Sequence, residues 1–201
     1  MKINKNDIRK MVTEVINELE LYHGSLSNAD FDKFDSKYLS TGWGEQMYGY
    51  GHYFTNSIDA AKQYAGNGIV YTVEVPDGKY LSYKSISQQE KRRIANLFFK
   101  YYTTESEYGR EAYASQEAKR DFWQYECRYI LECEDGGDVY GTIASLCGND
   151  EETSKFLKSI GYVGIKRFVK NFNQQVTNYV IFDDNDIKIL KKKQNVKHVI
   201  R

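Results

Sequence analysis

The order of residue textures along the chain constrains the fold more than any single motif does. Strand-like stretches occupy residues 21–25, 49–55 and 69–75, the last reading Ile-Val-Tyr-Thr-Val-Glu-Val with clean alternation. A helical middle runs from about residue 85 to residue 147, and strand patterns return at 162–168, 178–183 and 187–190. Neither strand group is large enough to make a useful sheet alone. The two are therefore expected to close one α+β sheet, with residues 85–147 as a helical insert. At 201 residues the chain is expected to form a single domain, 1–201.

Local signals refine that outline. Residues 4–20 read as a helix, with Ile8, Met11, Val12, Val15, Ile16 and Leu19 on one stripe. Ser57 is placed to cap a short helix over 58–64, which Gly66-Asn67-Gly68 ends. Pro76-Asp77-Gly78 reads as a turn. In the middle, residues 87–102 and 111–133 each read as one helix, with Gly136-Gly137 as a break. Asp150-Glu151-Glu152 gives an acidic first turn to a helix that Gly161 terminates. The basic tail, residues 191–201, is expected to be a solvated end.

Composition excludes several function classes. The 28 basic and 28 acidic residues cancel, so no global field draws the chain to nucleic acid or to an acidic membrane. No stretch approaches the roughly 20 apolar residues of a membrane span. The first twenty residues carry charges throughout and lack an apolar signal core. Cys127, Cys133 and Cys147 show no CxxC spacing and no neighbouring histidine. That argues against a disulfide framework or a zinc site and fits a reducing cytoplasm. Eighteen tyrosines supply amphipathic packing, and with it stacking surfaces for flat ligands.

Three segments each end a short strand in a polar group: Leu21-Tyr22-His23-Gly24-Ser25, residues 49–55 ending Tyr-Phe-Thr, and residues 178–183, Asn-Tyr-Val-Ile-Phe-Asp. Taken singly, each is most simply a structural histidine, a core tyrosine and a turn asparagine. In this order they resemble the ADP-ribosyltransferase fold, in particular the His-Tyr class shared by poly(ADP-ribose) polymerases and diphtheria-type toxins. The likeness is greatest to the small ADP-ribosyltransferase-like domains of bacteriophages and of polyvalent phage proteins. Those run a YHGT strand, a GxGxYFT…A…YA strand and helix, a vYxV strand, a helical insert, an fLxxxGxxGIK segment and a terminal YVIFD…IKI. The matching residues here are 22–25, 49–65, 70–75, 156–166 and 179–189.

The resemblance implies a split, mixed or antiparallel sheet core with an N-terminal helix and a large helical insert. It implies NAD as co-substrate without a metal, and mono-ADP-ribosyl transfer to a protein acceptor with release of nicotinamide, in the setting of a phage effector acting on host factors. By the same resemblance, His23 hydrogen-bonds the adenosine-side ribose. The Gly24 backbone, beside Ser25, pairs with the nicotinamide carboxamide, Tyr53 stacks on the ring, and Tyr64 covers its other side. His52, next to Tyr53 on one strand, faces the opposite way and is expected to be structural. Ala61 stands where the polymerases place a carboxamide-binding serine, so that bond is missing. Asn178 stands where the enzymes carry a glutamate, making the catalytic set His23, Tyr53 and Asn178. An amide can bond the ribose hydroxyl but brings no charge, a loss on the order of 10²–10³ in rate, and chain elongation into a polymer is not expected. Val176 replaces a Gln or Glu, while Gln174, Gln175, Glu45 and Gln46 lie near enough in sequence to assist with an acceptor. Water as acceptor would make the protein an NAD glycohydrolase. Asn178 and Ala61 also motivate an inactive module that binds NAD, ADP-ribose or a protein. RNA 2′-phosphotransfer is disfavoured by the single cleft histidine.

Overall fold

The computed structural model describes residues 18–26, 30–39, 47–171 and 174–195. The helix expected over residues 4–17, together with Glu45 and Gln46, lies outside the described residues. Residues 18–20, expected to end that helix, instead open a strand whose partner Pro76 pairs with Glu18.

Seven strands form one mixed sheet: β1 (Glu18–Ser25), β2 (His52–Thr55), β3 (Ile69–Pro76), β4 (Lys79–Ser82), β5 (Tyr162–Asn171), β6 (Gln174–Ile181) and β7 (Lys188–Gln194). Their order across the sheet is β4-β5-β6-β2-β1-β3-β7. The N-terminal and C-terminal strand groups thus interleave in one sheet. All neighbours are antiparallel except β4 and β5. β4 had no expected counterpart, because its four residues follow the Pro76 corner too closely to show a pattern. The basic tail is also corrected: Lys188–Gln194 pairs with β3 as an edge strand, and Lys192 ties to Asp30 (2.8 Å) and Asp32 (2.5 Å). Lysines suit an exposed edge, since their charge discourages pairing with a further strand.

A parallel pair cannot be joined by a hairpin and needs a long crossover. The helical middle is that crossover, so it is built into the sheet's connectivity and is not an optional insert. It comprises α2 (Gln88–Thr104), α3 (Glu107–Ala112), α4 (Gln116–Asp121), a π-helical turn (Phe122–Cys127), α5 (Tyr129–Glu132), α6 (Gly136–Cys147) and α7 (Asp150–Ser159); α1 (Ile58–Ala65) precedes it between β2 and β3. The single helix expected over 111–133 is broken, because Ser115 caps a new helix by accepting from the Ala118 amide. Gly136 and Gly137 do not break a helix but begin α6, capped by the Asp135 carboxylate on the Gly137 and Asp138 amides. They are glycine because a Cβ at Gly136 would lie 2.4 Å from the Ser82 carbonyl oxygen, and one at Gly137 2.3 Å from the Tyr83 ring. Ser57 and Asn149 cap α1 and α7 as their sequences indicate.

Two large cores sandwich the sheet, and a small third one, Ala61, Ala65 and Val70 with Tyr22, lies under α1. On one face Leu81, Ile165 and Val180 pack against Ile94, Phe98, Phe122, Ile143 and Phe156 of the crossover. On the other, Leu21, Phe54, Tyr71, Val73, Val75 and Ile181 pack under Phe34 and Ile187. In place of the expected split the sheet is continuous, with a narrow seam where its shortest pairing falls. β1 registers with β3 along its whole length, and β2 with β6 along its own, yet β1 and β2 meet only at Tyr22↔Thr55. The cysteines are all free thiols. No described helix is long and apolar enough to cross a membrane.

Candidate functional site

The seam is bridged by a side chain. His23 Nδ1 lies 2.8 Å from the Tyr53 carbonyl oxygen. A carbonyl only accepts, so Nδ1 carries the proton and, in the neutral ring, Nε2 is left as an acceptor. Burial holds the His23 imidazole below the ordinary histidine value, which keeps it neutral. Among the described residues no hydrogen bond reaches Nε2. The ring sits among Phe34 (5.2 Å), Phe54 (5.8 Å) and Tyr71 (6.1 Å), all on the Phe34-covered face.

His52 lies on that same face. Its Nε2 is 2.8 Å from Asp184 Oδ1, and Asp184 also accepts from the Ser36 amide at 2.8 Å and from the Ser36 hydroxyl. Burial pushes the Asp184 carboxyl up, but the Ser36 and His52 bonds outweigh it and hold the group below the usual carboxylate range. This knot ties residues 36–38 to the end of the sheet, the structural role expected of His52.

Tyr53 belongs to the opposite face. Its hydroxyl accepts from the Tyr48 amide at 3.0 Å and donates to the Gly49 carbonyl at 2.9 Å. Gly49 takes a φ of 132°, open only to glycine, and so lets the loop curl back over the ring. The crossover fixes that loop: the Tyr50 amide donates to Tyr140 at 2.9 Å, and the Ser154 hydroxyl donates to the Tyr50 carbonyl at 2.8 Å. Burial raises the Tyr53 hydroxyl to about 12, so it is a fixed neutral group. The structure thus places the His23 and Tyr53 side chains on opposite faces, joined through the Tyr53 backbone. The period-two alternation of β1 and β2 sets the two rings apart in this way.

Asn178 shares the Tyr53 face. It registers with Thr55 on β2 and Arg167 on β5, two residues from the Tyr53↔Val180 and Ile165↔Val180 pairs. Its Oδ1 is buried and has no hydrogen-bond partner; Ser82 Oγ on β4 is the other described oxygen in that condition. A buried acceptor without a donor costs about 1–3 kcal/mol, and such an atom calls for an explanation. Opposite it, the Arg167 guanidinium lies 4.6 Å from the Tyr48 ring centroid and 4.8 Å from that of Tyr83. Tyr48 in turn neighbours Tyr53 at 6.2 Å and Tyr83 at 6.1 Å. Burial raises the Tyr83 hydroxyl, and Arg167 partly offsets that.

Of the remaining expected residues, Gly24 and Ser25 border the seam. Gly24 registers with Val70 on β3, while β2 offers its edge no register partner past Tyr22. Its bare face is occupied by α1: a Cβ there would lie 2.0 Å from the Ala61 carbonyl oxygen and 2.7 Å from the Ala65 amide. Glycine is therefore demanded by helix packing, and only the backbone edge is open to a ligand. Ser25 ends β1, with its carbonyl 2.0 Å from where a Gly68 Cβ would be. Tyr64 projects from α1 at 51% exposure, whereas Ala61 is fully buried. Val176 is buried and Gln175 exposed.

Arg167, Tyr48 and Tyr83 were missed by sequence reasoning. Arg167 left a signal, because it falls in step with core-facing Ile165; Tyr48 and Tyr83 sit in loops and left none. Chemically, the face offers tyrosine rings set at angles to one another, a neutral acceptor and a guanidinium, suited to a hydroxylated, anionic ligand. Among the described residues no cluster of metal-ligating side chains occurs. Comparison with protein-family models, curated proteins and solved structures yields no match.

Proposed function

We propose that the protein binds NAD at the β1/β2 seam and transfers ADP-ribose to a protein acceptor, releasing nicotinamide. The carrying observation is Asn178 Oδ1, a buried acceptor without a donor on the Tyr53 face. A ribose hydroxyl is the donor it lacks. The residues present fit such a ligand in part. Tyr53 gives a rigid ring whose hydroxyl is already committed, the β1 edge beside Gly24 is unpaired toward β2, and His23, from the other face, holds the Tyr53 backbone in place through its carbonyl. Gly24 offers no pocket of its own. When bound, NAD supplies a glycosidic bond to a good leaving group, and the chain's residues orient it and exclude water.

A second function is favoured by one specific feature. Arg167 is positive and Asn178 neutral, an electrostatic setting that holds an anion better than a developing cation. On that basis the protein would bind NAD or ADP-ribose without turnover. Mixing the purified chain with NAD, with and without bacterial lysate, separates the two. Transfer predicts nicotinamide release that depends on lysate and is lost in His23→Ala and Tyr53→Ala. Release without lysate would indicate a glycohydrolase, and binding without release the inactive module.

A further inference from the structure

We propose that a cleft on the helical crossover binds single-stranded nucleic acid, with a base on Trp123 and the flanking phosphates on Lys100, Lys119 and Arg120. The cleft, about 530 Å³ in volume, opens between α2, which supplies Phe99 and Lys100, and the chain from Gln116 to Trp123. That volume suits a ligand the size of a nucleotide. None of its residues belongs to the β1/β2 seam, so the proposal stands whether or not NAD binds there.

The sequence builds both walls. Gln116, Lys119, Arg120 and Trp123 recur at the three- and four-residue spacing of one helix face. The π-helical turn begins at Phe122, which is buried in the core, and leaves Trp123 half-buried in the cleft wall. Such turns are rare and recur at functional sites. Phe99 meets Trp123 edge-on, with centroids 5.6 Å apart and 78° between the planes, which fixes the indole's orientation.

Charge and shape together select the occupant. No carboxylate lines the cleft, and among the described residues Lys100, Lys119 and Arg120 form no ion pair. An acidic peptide satisfies the cations and leaves the rings unmatched, and an apolar segment does the reverse. Every residue of a nucleic-acid strand carries both a flat base and an anion. Cations on both walls suit a strand passing through. Because the chain's 28 basic and 28 acidic residues cancel, a polyanion has to be held by a local cluster of this kind.

The test titrates the full chain into a short fluorescein-labelled oligodeoxythymidylate, which has neither adenine nor nicotinamide with which to compete at the seam. Wild type is expected to bind at low salt, log affinity falling against log salt with a slope of about −2 for three phosphate contacts. Arg120→Gln should reduce that slope by about 0.7 and weaken binding severalfold, with melting temperature and NAD affinity unchanged. Trp123→Ala should weaken binding by roughly tenfold to a hundredfold. Trp43 is the other of the two tryptophans, so in a Trp43→Phe background Trp123 reports alone, and the strand should quench its fluorescence. No binding at low salt, binding unchanged in Arg120→Gln, or an unquenched Trp123 would overturn the proposal. Equal binding of an oligoglutamate peptide or of thymidine monophosphate would overturn it too, in favour of an acidic-peptide or a free-nucleotide site.

Discussion

Replacing Asn178 by leucine separates a functional polar group from a structural one. The two side chains are close in volume, and the position faces Val180's core side of the sheet. The orphaned Oδ1 costs about 1–3 kcal/mol in the free protein. Asn178→Leu should therefore raise stability by about that amount. For a chain of this size that corresponds to a rise in melting temperature of about 2–12 °C. The same change removes the acceptor for the ribose hydroxyl, so NAD should bind about tenfold more weakly. Thermal denaturation with and without NAD reads both effects, and they have opposite signs: a higher melting temperature alone and a smaller rise on adding NAD. A leucine variant that melts lower than wild type and responds fully to NAD would refute the reasoning.

Two further substitutions test the frame around the site. Gly24→Ala forces a Cβ to 2.0 Å from the Ala61 carbonyl oxygen, and because backbone cannot yield as a side chain can, denaturant unfolding should show a loss of about 1–3 kcal/mol or more. His23 is neutral in the fold because burial lowers its pKa, whereas in the unfolded chain it takes up a proton below about pH 6.5. Its contribution is complete above that pH and is lost as pH falls toward the folded value, at up to about 1.4 kcal/mol per pH unit. His23→Gln should flatten that part of the stability profile measured by urea unfolding from pH 7 to pH 5; an unchanged acid limb would show that the imidazole is not buried neutral.

What the sequence made legible was what local chemistry decides. The Ile69–Pro76 alternation, the Ser57 cap and the acidic turn of α7 all hold, because period and capping act over a few residues. The extension of β1 back to Glu18 overrode a helical stripe, since pairing with β3 outweighs propensity. The role of the helical middle was not legible, because it depends on β4 and β5 being parallel neighbours, which no local pattern announces. At the site, Asn178 and Tyr53 do share a face, and His52 is structural. That His23 lies on the face opposite Tyr53 was not legible, because the register of β1 against β2 is set by a single residue pair. Tyr83 reaches Arg167 through the pairing of β4 with β5, and Tyr48 through the loop held by Tyr140 and Ser154.

The most direct test is calorimetric titration of NAD into the purified chain, Asn178→Leu and Tyr53→Ala, each first shown to be folded by circular dichroism. An NAD site at the seam gives saturable binding to wild type that weakens by roughly tenfold or more in both variants. No heat of binding in wild type, or one that both substitutions leave unchanged, would contradict it.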